Sequence, residues 1–125
     1  MLLIKTDIKI STIIDADLGL FTSERLYKGQ IIWKNSEKDI ELSNEEYLFL
    51  KDIDCHEWVE KYGTSLNNKW QIDHDSCKYM NHSYTPNIHF ELNFGFCLDD
   101  IKPGEELFCD YTTITSPEHF KKLIK

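Results

Sequence analysis

The spacing of apolar and polar positions changes twice along the chain. Short runs rich in Ile, Leu and aromatics come first: Leu2 to Lys5, Ile8 to Ile10, Gly19 to Thr22 and Gln30 to Trp33, each bounded by Asp, Gly or Ser. Runs of that length and bounding predict β-strands. From residue 43 the period becomes helical. Ser43-Asn44-Glu45-Glu46 has the capping-box form, in which the Ser43 hydroxyl accepts from the Glu46 amide while the Glu46 side chain reaches back. Tyr47, Leu48 and Leu50 follow at helical spacing. Asp54-Cys55-His56-Glu57 repeats the starting signal for a second helix carrying Trp58, Val59 and Tyr62, with Gly63 as its stop. The β pattern then resumes. Trp70, Ile72 and His74 alternate; Ile88 to Leu92 and Phe94 to Leu98 flank a turn near Asn93 and Gly95; Leu107 to Cys109 is a last short strand.

Ser116-Pro117-Glu118 opens a C-terminal helix, with Ser as N-cap, Pro at the first position and an acid in the first turn. Phe120, Leu123 and Ile124 form its apolar face, and Lys121, Lys122 and Lys125 suit the negative end of its dipole. No repeat, low-complexity stretch or linker interrupts the chain. The pattern predicts one mainly β (β-rich α+β) domain over residues 1–125, with a helical insert at about 43–63 and a terminal helix at about 116–125.

Composition narrows the function classes. A chain of 125 residues, 41% hydrophobic and 13% aromatic, buries roughly 65–70% of its unfolded surface in one core. It needs no disulfide or metal on grounds of size. Cys55, Cys77, Cys97 and Cys109 show no paired spacing, and His74, Cys77, His82 and His89 fit no common zinc module, so no metal is expected. No apolar run approaches the ~20 residues of a membrane span, and Met1-Leu2-Leu3-Ile4-Lys5 is too short for a signal peptide. An intracellular location is expected: a bacterial cytoplasm, or a host cell and its nucleus if the source is a virus or an effector. The net charge of −8, from 22 acidic and 14 basic residues, argues against a nucleic-acid partner, because phosphate binding needs clustered Lys and Arg. It suits a basic protein or peptide.

The most specific signal lies in two segments. Lys78-Tyr79-Met80-Asn81-His82-Ser83-Tyr84-Thr85-Pro86-Asn87 is followed by Gly104-Glu105-Glu106-Leu107-Phe108-Cys109-Asp110-Tyr111. In that order and spacing they resemble the C-terminal half of a SET domain, the fold of most protein-lysine methyltransferases. Asp17-Leu18-Gly19-Leu20-Phe21 and Lys28-Gly29-Gln30-Ile31-Ile32 fill the places of the family's opening hairpin and its Lys-Gly turn. The resemblance spans residues 1 to 112 and is greatest to short stand-alone SET proteins of bacteria and viruses. It departs from the family in one place: Asp17 stands where the first Gly of a Gly-x-Gly pair is usual. The zinc-binding Cys-rich segment that often follows the final Tyr in chromatin enzymes has no counterpart, since none of the fourteen residues after Tyr111 is Cys.

What this resemblance implies is specific. The fold would be several small β-sheets with a C-terminal pseudoknot, bringing residues 81–87 and 107–111 side by side. The cofactor would be S-adenosylmethionine and the substrate the side-chain amine of a lysine in a basic protein such as a histone tail. Tyr111 would be the catalytic residue. Leu18, Gly19, Phe21, Asn81, His82 and Phe120 would contact the cofactor, although Asn and His are also ordinary turn residues. Tyr79, Phe108, Cys109 and Trp70 are candidates for the lysine channel, where Cys109 occupies a place that often holds Phe or Tyr. Glu106 and Asp110 would support the backbone. The terminal helix would close the channel in place of a zinc segment, a symmetric homodimer being the alternative. Two rivals stand beside the methyltransferase: a non-catalytic SET-like module that binds a basic protein, and a small acidic structural protein with accidental motif matches.

Overall fold

A computed structural model of the chain describes residues 1–123. Ile124 and Lys125, expected on the terminal helix, lie outside the described residues. The first hairpin pairs β1 (Thr6–Ile10) antiparallel with β2 (Leu18–Thr22). Residues 2–5 are not a strand as the run of apolar residues suggested. They bridge singly at Leu2–Trp33 and through the Leu3 amide to the Ile32 carbonyl at 2.8 Å. The strand begins at Thr6, where continuous pairing with β2 starts.

A three-stranded sheet places β9 (Phe94–Cys97) between β3 (Ile31–Lys34) and β8 (Ile88–Phe90), all antiparallel. Gly95 lies inside β9 opposite Phe90 and not in the turn, and only glycine fits there, since a Cβ would sit 2.6 Å from the Phe90 ring. A second three-stranded sheet centres β6 (Lys69–Ile72) between β4 (Ile40–Ser43) and β5 (Gly63–Leu66). The helical insert therefore grows out of a sheet. Its helices are α1 (Asn44–Asp52) and α2 (Glu57–Tyr62).

The Ser43 capping box forms as expected, with both bonds at 3.1 Å. The second starting signal behaves differently. Asp54 takes φ 58° in the reversal after α1, and His56 precedes α2 without a side-chain cap. Gly63 ends α2 in extended geometry. It is required by space, since a Cβ would lie 2.6 Å from the Val59 carbonyl oxygen. Asn67 and Asn68 both take positive φ in the β5–β6 turn, the geometry that favours Asn in two-residue hairpin loops.

Segments 81–87 and 107–111 lie side by side. Here β7 (Asn81–His82) runs parallel to β10 (Phe108–Cys109). The Asn87 side chain extends this short ladder, donating to the Glu106 carbonyl at 2.9 Å and accepting from the Phe108 amide at 2.8 Å. Gly29 and Gly104, both at positive φ, turn the chain into β3 and into this ladder.

The main core gathers Leu20, Leu26, Ile32, Ile88, Ile101 and Leu107 around Met80 and the buried Cys77, Cys97 and Cys109. A smaller core of Tyr47, Val59, Trp70 and Ile72 holds the insert. The last element, α3 (Pro117–Leu123), starts as predicted, with the Ser116 hydroxyl accepting from the His119 amide at 3.3 Å. It docks on β5 through the Ser116 amide to the Ser65 carbonyl at 2.6 Å and His119 Nε2 to the Gly63 carbonyl at 3.0 Å. Among the described residues no helix is long and apolar enough to cross a membrane.

Candidate active site

The parallel pair β7–β10 aims consecutive motif residues at one place. His82 is nearly enclosed, its side chain 7% exposed. Its Nδ1 accepts the Tyr111 backbone N–H at 3.0 Å. That bond leaves the ring proton on Nε2, which is buried and has no hydrogen-bond partner among the described residues. Burial pushes the His82 pKa down, outweighing the Asp110 carboxylate 3.7 Å away, so the ring is neutral at pH 7. Around it stand Tyr84, Tyr111 and Phe120, with ring centroids at 4.4, 5.3 and 5.2 Å.

Tyr111 is fixed at both ends. Its backbone is held by His82, and its hydroxyl donates to the Met80 carbonyl at 2.6 Å. Burial, with smaller contributions from Cys109 and Cys77, raises its pKa well above the ordinary phenol value. The hydroxyl therefore stays protonated and serves as an oriented dipole, not as a base.

Two cavities share this tyrosine. The larger, about 630 Å³, is lined by Ile13 to Leu18, Tyr79, Asn81 and His82. The smaller, about 340 Å³, is lined by Trp33, Asp73, Cys77, Met80, Phe90, Glu91 and Cys109 among others. Lys61, Tyr62, Lys78, Tyr111 and Leu123 belong to the walls of both. Each volume falls in the range of small-molecule sites, about 300–1,000 Å³. In the smaller cavity Asp73 has its pKa pushed up to about 6 by burial and by the nearby Asp39 and Asp75 carboxylates. Burial likewise raises the Cys77 and Cys109 thiols, so neither is a thiolate at neutral pH.

The wall of the larger cavity is braced from behind by Glu106. It accepts from Ser11 Oγ at 2.8 Å, from the Thr12 amide and hydroxyl at 2.7 Å each, and from Asn81 Nδ2 at 3.2 Å. Asn81 Nδ2 also donates to the Leu18 carbonyl at 2.9 Å. Gly19 is needed here because a Cβ would lie 2.4 Å from Glu106 Oε2 and 3.3 Å from Asn81 Nδ2. Asp17, in the place of a glycine, takes φ 66°, so it adopts the left-handed conformation glycine would have supplied.

Of the residues singled out from sequence, Leu18, Asn81, His82, Tyr79 and Tyr111 line the larger cavity, and Cys109 and Tyr111 the smaller. Tyr79 thus faces the cavity of Asn81 and His82 and not the other. Phe120 packs on His82 without lining either. Phe21, Phe108 and Trp70 line neither. Phe21 is buried opposite Glu106, Phe108 pairs with Asn81, and Trp70 stacks on Tyr47 at 4.7 Å in the insert core. The sequence reading missed Lys61, Tyr62, Asp73 and Leu123. Tyr62, at the end of a helix with apolar spacing, reads as a packing residue until α2 is seen to deliver it to both cavities.

A suitable fit for S-adenosylmethionine is tested by what the larger cavity offers. It has room for a nucleoside with a side chain, and its lining combines the apolar Ile13, Ile14 and Leu18 with the aromatic Tyr79 and the polar Asn81. This volume and this mixed lining fit the group.

Comparison with solved structures shows where this architecture recurs. The chain is similar to ctPRC2 in an autoinhibited conformation bound to S-adenosylmethionine (TM-score 0.70, 23% identity, 95% of this chain and 16% of that one). It is similar to apo ctPRC2 in an autoinhibited state (TM-score 0.72, 22% identity, 97% and 17%). It is also similar to polycomb repressive complex 2 of Chaetomium thermophilum (TM-score 0.68, 22% identity, 91% and 17%). The chain thus spans 16–17% of the length of these solved chains, and the likeness is one of fold. No curated protein matches it by sequence. The family model of the SET domain matches residues 17–112, most of the chain, and the protein belongs to the SET-domain family.

Proposed function

We propose that this protein is a lysine methyltransferase that transfers a methyl group from S-adenosylmethionine to a lysine amine in a basic protein target. SET-domain proteins are generally enzymes of this kind. The observation that carries the reading is the pair of cavities sharing Tyr111, one suited to a cofactor and one to a side chain entering from a second molecule. On this reading Leu18, Asn81 and His82 hold the cofactor, Gly19 keeps that wall in place, and Phe120 supports it through His82. The cofactor, when bound, supplies a methyl group already activated by a sulfonium.

The protein's part is positioning and desolvation. A free lysine has a pKa of about 10.4, so about one in a thousand is neutral at pH 7.4. Met80, Phe90, Trp33 and Cys109 give the smaller cavity an apolar wall that disfavours the ammonium. Tyr111 cannot take the proton, because its own hydroxyl is held protonated and is committed to the Met80 carbonyl. The amine therefore enters neutral, having released its proton to water, and the Tyr111 oxygen orients it by accepting an N–H. Cys109 leaves space for more than one methyl, while Tyr62 on the same walls sets the limit. The net charge of −8 favours a target with basic residues beside its lysine, as in a histone tail.

The test is transfer of labelled methyl onto core histones and other basic proteins, comparing the parent with Tyr111→Phe. Lysine label reduced at least about 100-fold in the variant, with cofactor binding retained, is the expected result. Cofactor binding without label on any lysine would favour the non-catalytic module.

A further inference from the structure

The larger cavity carries an ion pair on its rim that its walls do not need for support. Lys61 Nζ, from α2, lies 3.8 Å from Asp17 Oδ2, in the loop between β1 and β2, and both residues line the cavity. The side chains are 60% and 75% exposed. An exposed pair at this separation adds little to stability. Yet Asp17 is held at φ 66°, where a side chain is disfavoured, with its carboxylate opposite a lysine.

We propose that Lys61 and Asp17 form a charged clasp for the amino-acid end of the sulfonium ligand, Lys61 taking its carboxylate and Asp17 its ammonium. The inference rests on the cofactor reading above. An α-amino acid bears its two opposite charges on neighbouring groups, so it can lie beside the loose Lys61–Asp17 pair head to tail, each charge meeting its opposite. Of the charged groups on this wall, Asp15, Asp17, Lys61 and Lys78, it is Asp17 and Lys61 that meet across it, and the polar groups behind them are committed. Both protons of the Asn81 amide are directed at Leu18 and Glu106, and the Glu106 carboxylate is occupied by Ser11, Thr12 and Asn81. Asp17 is thereby a gain of a ligand group at a position where glycine would offer backbone alone.

Calorimetric binding of two ligands to the whole chain separates the possibilities. S-adenosylhomocysteine carries the amino-acid end; 5′-methylthioadenosine has the same nucleoside and sulfur without it. Lys61→Met and Asp17→Asn are each expected to weaken S-adenosylhomocysteine about two- to fivefold, as for an exposed ion pair. They should leave 5′-methylthioadenosine and the thermal midpoint unchanged. The difference from the parent should vanish in 0.5 M salt, where charges are screened beyond about 4 Å. Parental affinity in both variants, equal weakening of both ligands, or tighter binding by Asp17→Asn would each overturn the clasp while leaving the cofactor reading intact. A parent that binds neither ligand would overturn the cofactor reading and the clasp with it.

Discussion

Glu106 ties together residues that are far apart in sequence, and its carboxylate is the clearest case of one side chain sustaining the site's geometry. Burial alone would raise its pKa, but the donors on Thr12, Ser11 and Asn81 reverse this and hold it below the ordinary value of 4.5. A folded-state pKa below the unfolded one means that the clamp's stabilisation is complete above about pH 4.5 and is lost as pH falls below it. Urea unfolding across pH 3 to 7 should show this acid limb, and Glu106→Gln should be less stable at pH 7 with a shallower limb. Equal slopes for the two proteins would count against the clamp. Gly19→Ala should act through the same residue, costing about 1–3 kcal/mol as Glu106 is forced aside. Gly19 stood out in the sequence, but as a place for close cofactor approach. Its actual neighbour, Glu106, belongs to a distant motif, so the packing reason was not legible locally. Asp17 departs from the family pattern yet takes a positive φ, a conformation that glycine adopts freely and Asp tolerates.

At the scale of elements, α3 is held by a group that titrates. His119 is buried, bonded through Nε2 to the Gly63 carbonyl, edge-on to Trp70 at 4.7 Å, and its Nδ1 has no partner among the described residues. Burial pushes its pKa below 6.5, against the pull of the Gly63 carbonyl and Glu60, while Lys122 on the same helix adds to the lowering. Because the folded value is the lower one, docking of α3 is fully stabilised above about pH 6.5 and weakens as pH drops through the folded pKa. Amide exchange in residues 117–123, corrected for intrinsic rate, should be less protected at pH 5.5 than at 7.5. His119→Phe should abolish that difference, and an unaltered pH response in the variant would reject the assignment. The elements readable from sequence were those whose determinants are local. The Ser43 box and the Ser116-Pro117 start involve atoms within one turn, and both form. Asp54 failed as a cap because the reversal between α1 and α2 demands a positive φ there, a requirement set by how the helices pack. The β5–β6 hairpin was overlooked although Asn67-Asn68 announced it. Alternation showed that Trp70, a channel candidate on the resemblance, is buried without showing that the core of the insert receives it.

Over the whole molecule, the excess of acid gives a net charge of −8, while on the smaller cavity Asp73 and Glu91 are matched by Lys61 and Lys78. Association with a Lys-rich peptide should be steered by this field, its rate falling about tenfold or more between 0.05 and 0.5 M salt while dissociation changes little. Stopped-flow fluorescence would check this, and a salt-independent rate would remove charge from the account of recognition. The fold as a whole was legible from two ordered motifs. The division into two cavities was not, because its walls come from the first hairpin, the insert, both motifs and α3, and no single stretch encodes a volume. The parallel pairing of Asn81–His82 with Phe108–Cys109 is only two residues long, and it unites segments that are distant along the chain. Such contacts are entropically slow to form. Tyr111 finds both His82 and Met80 only once that ladder has closed. The site and this ladder therefore form together. The same segments give Met80, Leu107 and Cys109 to the main core, so a ligand in either cavity stabilises the folded state as a whole.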